Sequence, residues 1–250
     1  MIFQSPLEEL LASPELMTIG ITTIIFIIIN LILGISMIYK GIISNYHIAI
    51  YISSIFFVGI TLWGGVVVLF LAALIFNFEL PLQIYFIIHM GFTLVLIFFW
   101  MVGITDLANI KGKKRKNFLI IFGIILATMQ ILYDIMIFVN PLALGTYESV
   151  IQIDYRGLTS LYQLMLLFFF TIPAGWIAYE SYKAENPTIR LKARFLILYV
   201  LGITVGAILE IFLAGYLGSI IAKIIISPTM VAGYFGFMLP EKVEKFILNK

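Results

Sequence analysis

Few side chains in this 250-residue chain could do chemistry. Asn30, His89, Asp134, Gln163, Glu210 and Lys223 each stand inside a long apolar run. Polar groups are expensive to hold there, and an ionisable one marks a candidate site by default. Glu210 lies about six residues before the centre of the connection Ala214–Gly218, and Lys223 about six after it, so at 1.5 Å of rise per residue both reach one depth on antiparallel neighbours. That spacing predicts an ion pair roughly 7–9 Å below the edge of the apolar zone. By the same measure Asp134 sits about six residues, His89 about eight and Gln163 about five below the same edge, so five helices bring a polar group to one layer. Asn30 and Thr61 fall nearer the midplane.

The layer predicts a polar pocket. Glu210 and Asp134 would supply negative charge, Lys223 positive charge, and His89 a group that titrates near neutral pH. The same depths also suit a satisfied interhelical network, or a proton or cation path, and a lysine at that depth can snorkel to the headgroups. No span carries an HExxH, a paired-aspartate or a Ser/His arrangement, so the chain is not expected to be an enzyme. Zero cysteines exclude disulfides, thiolate metal sites and a catalytic thiol, and two histidines are too few for a pair of bis-histidine haems. No metal or cofactor is expected. The net charge of +2 is too small to imply nucleic acid.

The elements that must position these groups follow from composition. At 62% hydrophobic and 11% charged, with a mean hydropathy of +1.13, the chain holds more apolar surface than one soluble core can hide. Its expected partner is the lipid bilayer. Seven runs are long enough to cross it: 17–39, 48–76, 81–104, 118–139, 158–179, 195–214 and 219–239. They are continuously apolar, which excludes the alternating pattern of a β-barrel. Glu8, Glu9 and Glu15, with no basic residue before the first run, exclude a signal peptide's n-region, so the first run reads as a retained span. The expected fold is an all-α integral membrane protein of seven transmembrane helices. A tail over residues 1–16 precedes the helical domain at 17–239, and an amphipathic segment at 240–250 follows it.

Charge sets the orientation. Of the 15 basic residues, 13 fall on one family of connections, Arg156 falls on the other, and Lys223 lies inside a span. Basic loops stay in the cytoplasm, so the N-terminus is expected outside and the C-terminus inside, in the cell membrane. Lys111, Lys113, Lys114, Arg115 and Lys116 read as a cytoplasmic basic loop facing anionic lipid. Pro173 and Pro228 should kink the fifth and seventh spans, as hinges or as static bends. The stretch Asn140–Gly157 contains an alternating segment, Ser149–Tyr155, that suits a strand or hairpin. It would be either a lid over the outer mouth or a disordered loop. Gly202-x-x-x-Gly206 fits the small-residue packing motif, against another helix of the same chain or in a homo-oligomer. Trp100, Trp176, Tyr179 and Tyr234 read as interfacial belt residues.

The exit of the last span, Gly233-Tyr-Phe-Gly-Phe-Met-Leu-Pro-Glu-Lys-Val-Glu-Lys-Phe246, passes from glycine-aromatic through proline to an amphipathic segment. It resembles the seven-transmembrane sensor regions that precede histidine kinase and other signalling modules in archaea and bacteria, without the output module that follows in those proteins. An excess of Ile over Leu is in keeping with a prokaryotic source. The resemblance implies a receptor-like or sensory protein acting on a cytoplasmic signalling partner. A small-solute or ion transporter or channel is the alternative.

Overall fold

A computed structural model describes residues 5–213 and 216–248. Among the described residues the chain is all-α apart from one short hairpin, with seven helices long and apolar enough to cross a membrane. The spans are α2 (Pro14–Ile43), α3 (His47–Phe76), the pair α4 (Leu82–Met90) and α5 (Thr93–Leu107), α6 (Gly112–Val139), α7 (Gly157–Tyr182), α8 (Pro187–Phe212) and α9 (Tyr216–Phe237). A short α1 (Pro6–Ala12) precedes them and α10 (Glu241–Leu248) follows. Strands β1 (Gly145–Ser149) and β2 (Gln152–Tyr155) form an antiparallel hairpin between α6 and α7. The bundle thus has a hairpin end and, opposite it, a basic end.

Local chemistry sets where helices start and stop. Ser5 and Glu8 form a capping box on α1, Ser13 caps α2 ahead of Pro14, and Asn186 caps α8 ahead of Pro187. Asn45, Asn77 and Asn109 take the left-handed conformation just past α2, α3 and α5, at φ of 52°, 49° and 55°. Asparagine tolerates that geometry better than most residues, and it lets the chain leave a helix. Asn77 does a second job, since its Oδ1 accepts the Leu7 amide at 3.0 Å and ties α1 to the end of α3. The residues expected to form an N-terminal tail are therefore partly helical and packed, with Leu10 fully buried.

The helices close into a ring in which α2 packs on α3 and α9, α8 lies between α7 and α9, and α5 reaches α3, α6 and α7. Lipid supplies no hydrophobic drive between helices, so close approach matters. A side chain at Gly202 or Gly206 would run into Thr229 or Ile226 of α9, and one at Gly233 or Gly236 would meet Tyr199 or Leu196 of α8. The Gly202–Gly206 pair therefore packs within the chain.

Four expectations are corrected. The third span is interrupted at Gly91–Phe92, where the Thr93 hydroxyl lies 2.8 Å from Thr61 Oγ1 and 3.0 Å from the His89 carbonyl. The basic segment is not a loop, since α6 already begins at Gly112 and carries Lys113, Lys114, Arg115 and Lys116 in its first turns. Gly112 takes a φ of 63° at that start, open to glycine. Trp100 is fully buried against Phe170 and Phe237 rather than interfacial. Tyr234 is buried under the Lys40 ammonium, 5.1 Å from its ring centroid. Trp176 and Tyr179 are exposed. Of the expected turn 214–218, Ala214 and Gly215 lie outside the described residues.

Candidate functional site

A cavity of about 520 Å³ lies among the helices toward the hairpin end, lined from α2, α3, α4, α5, α7, α8, α9 and the hairpin. Two polar clusters face it.

The first joins three helices. The Trp63 indole N–H from α3 donates to both Glu210 oxygens on α8, at 2.9 and 3.1 Å. Lys223 Nζ on α9 stands 3.5 Å from Glu210 Oε1, and it donates to Ser219 Oγ, one turn back, at 2.5 Å. The Lys223 side chain is 3% exposed and the Glu210 side chain 25%. The ammonium is buried behind the carboxylate and does not snorkel. Glu210 and Ser219 line the cavity.

The second cluster is a triangle of rings. The His89 ring packs near-parallel on both Tyr85, one turn back on α4, and Tyr155 of β2, with centroids 5.4 and 5.1 Å away, and the two tyrosine centroids are 6.5 Å apart. The tyrosine hydroxyls meet at 2.5 Å. His89 Nδ1 lies 2.7 Å from the Leu62 carbonyl. A carbonyl only accepts, so Nδ1 carries the proton, and Nε2 of a neutral ring is free to accept from the Gln163 amide at 3.3 Å. Tyr85 fits because Gly65 leaves room, since a side chain there would strike its ring.

Because Tyr155 belongs to β2, the second cluster depends on the hairpin's placement. Its tip is buried at Val150 and Ile151, and the Val150 amide donates to Glu9 Oε1 of α1 at 3.0 Å. The Tyr147 hydroxyl donates to the Leu80 carbonyl. Burial, and then the nearby Glu79 carboxylate, push that hydroxyl up to about 12. Near the floor of the cavity, Phe170 packs on Trp100 and Tyr199 at 5.6 and 5.2 Å between ring centroids.

Of the residues expected in one layer, His89, Gln163 and Glu210 line the cavity, and Lys223 joins through its ion pair. Asp134 does not join. It lies on α6, which contributes nothing to the lining, and it accepts from Gln130 of its own helix at 2.8 Å. Tyr133 takes the inward position, buried against Tyr162, and one residue of helix rotates Asp134 away. Asn30 is fully buried; its amide donates to the Phe26 carbonyl at 2.9 Å while Oδ1 has no partner among the described residues. Pro173 and Pro228 lie inside continuous helices. At the basic end Arg115 is engaged internally, 2.9 Å from Asp106 and 3.1 Å from Thr105 Oγ1, whereas Lys111, Lys113, Lys114 and Lys116 are exposed.

Trp63, Tyr85, Tyr155 and Ser219 were not singled out from the sequence. Two carried a signal. Trp63 stands deep within its run rather than in the interfacial belt, and an indole N–H in hydrocarbon needs a partner. Tyr85 stands four residues before His89, on the same helix face. Among the described residues there is no cluster of His, Cys, Asp and Glu that could hold a metal ion. The arrangement can hold and orient a bound molecule, and it sets the Ser219 hydroxyl against the Lys223 amine. No protein-family model, curated protein or solved structure matches the chain.

Proposed function

We propose that the protein is a receptor-like or sensory module that binds a small molecule in the cavity and passes its occupancy to a cytoplasmic partner at the basic end. The observation that carries the reading is the shape of the site. A cavity of about 520 Å³, within the range of small-molecule sites, presents a carboxylate and two tyrosines packed on His89 at the hairpin end and runs into packed aromatics toward the other. In this reading the hairpin end faces outside and the 13 basic residues face the cytoplasm of the cell membrane. Pro173 and Pro228, on two helices that line the cavity, are the points where occupancy would be converted into helix motion.

The test uses the absence of cysteine. A fluorophore on Lys113→Cys in reconstituted protein should report ligands added on the hairpin side, and Ala207→Trp, which fills the cavity, should silence it. Solute flux into liposomes without that response would favour the transporter reading, which draws support from the interrupted third span beside His89.

A further inference from the structure

The cavity's chemistry narrows the ligand. Glu210 lines the cavity while Lys223 does not, being only 3% exposed behind it. No lysine or arginine is among the lining residues, whereas Glu148 and Asp154 of the hairpin join Glu210 there. The one Trp63 N–H is shared by both Glu210 oxygens and Lys223 stands 3.5 Å from one of them, so the carboxylate keeps acceptor capacity toward the cavity. Trp63, Tyr85 and Tyr155 line the same cavity, aromatic rings attract cations, and the rest of the lining is mostly aliphatic.

The approach carries the same sign. Side chains on the hairpin end comprise Glu8, Glu9, Glu15, Glu79, Glu148 and Asp154 against Arg156 alone. A mouth of one sign concentrates ligands of the other.

We infer that the cavity takes an organic cation, a primary or substituted ammonium on an apolar body, with its charged head against Glu210 and the aromatic rings and its body toward Phe170 and Met230. This rests on the ligand-binding reading above. An anion would meet carboxylates at the mouth and inside it, and a neutral apolar molecule would leave the remaining acceptor capacity of Glu210 without a donor.

The experiment titrates the whole protein in nanodiscs with 4-phenylbutylamine, 4-phenylbutanol and 4-phenylbutyrate, subtracting empty nanodiscs. The expected result is saturable amine binding at least ten-fold tighter than that of the alcohol or the acid. Glu210→Gln should reduce the amine to the level of the alcohol, and Lys223→Met should tighten it by removing the competing charge. Glu210→Gln leaves Lys223 buried and unpaired, so the double variant with Lys223→Met serves if the single one does not fold; it should also lose the amine preference. Equal binding of all three compounds, preference for the acid, or a preference that survives in the double variant overturns the cation assignment while ligand binding stands. Binding of none of the three, or binding that Ala207→Trp leaves unchanged, overturns the ligand-binding reading itself.

Discussion

Lys223 and Glu210 should behave as one unit in stability, and the asymmetry of their burial sets how. Removing one member of a buried pair leaves an uncompensated charge and costs roughly 3–5 kcal/mol. Glu210→Gln strands an ammonium that is 3% exposed, with Ser219 as its remaining partner, so its loss belongs at the upper end of that range. Lys223→Met strands a carboxylate that is 25% exposed and keeps both contacts to the Trp63 indole, so its loss belongs at the lower end. The double variant removes both desolvated charges and should recover about 3 kcal/mol of the summed single losses. Reversible denaturant or SDS unfolding of all four proteins in the same lipid–detergent mixture measures the cycle. Single losses that add to within about 0.5 kcal/mol, or a larger loss for Lys223→Met than for Glu210→Gln, would refute the view that carboxylate and ammonium share one low-dielectric site with the ammonium deeper.

Other outcomes follow from the same geometry. Tyr155→Ala removes a ring stack and a hydroxyl contact together worth about 2 kcal/mol, so amide exchange over residues 145–155 should rise by more than ten-fold, while Tyr155→Phe should show a smaller rise. Gly206→Leu should drive a side chain into Ile226 and lower stability by about 1–3 kcal/mol, measured as a fall in unfolding midpoint against Leu217→Ala, an exposed control. For orientation, Glu148→Cys should react with a membrane-impermeant maleimide in intact cells and Lys113→Cys only after permeabilisation; the reverse pattern would overturn the assignment of outside and inside. The raised Tyr147 hydroxyl holds the hairpin fully below pH 10 and releases it as pH climbs toward 12. Hairpin exchange should therefore accelerate across that window, and Tyr147→Phe should abolish the pH step.

The seven spans were legible because hydrocarbon demands about 20 apolar residues wherever a helix crosses it, and few other features of this chain satisfy that demand. Depth was legible for the same reason: residues count in 1.5 Å steps from a boundary that composition reveals. Rotation about each helix axis was not. Neighbouring residues differ by about 100°, and in a helix apolar all round nothing marks which side faces inward. Glu210, Lys223, His89 and Gln163 happened to turn toward the bundle, whereas Asp134 yielded the inward position to Tyr133. The break at Gly91–Phe92 was hidden because the flanking sequence is as apolar as any continuous span, and only the backbone reveals it, with α4 ending at Met90 and α5 starting at Thr93. The helical start of α6 was obscured by its lysines, which oppose a helix dipole at its positive end and so read as loop.

The roof over the cavity is stitched from distant stretches of sequence: the tip of the hairpin hangs from Glu9 in the first helix through a single amide, and Tyr147 pins its flank to Leu80. Tyr155 adds a fastening to Tyr85, and the buried Val150 and Ile151 seat the tip, so the cover lifts only when these contacts release together. Were a guest to bind there as proposed, its dwell time would be governed by how often those fastenings let go, and only secondarily by how snugly the chamber fits.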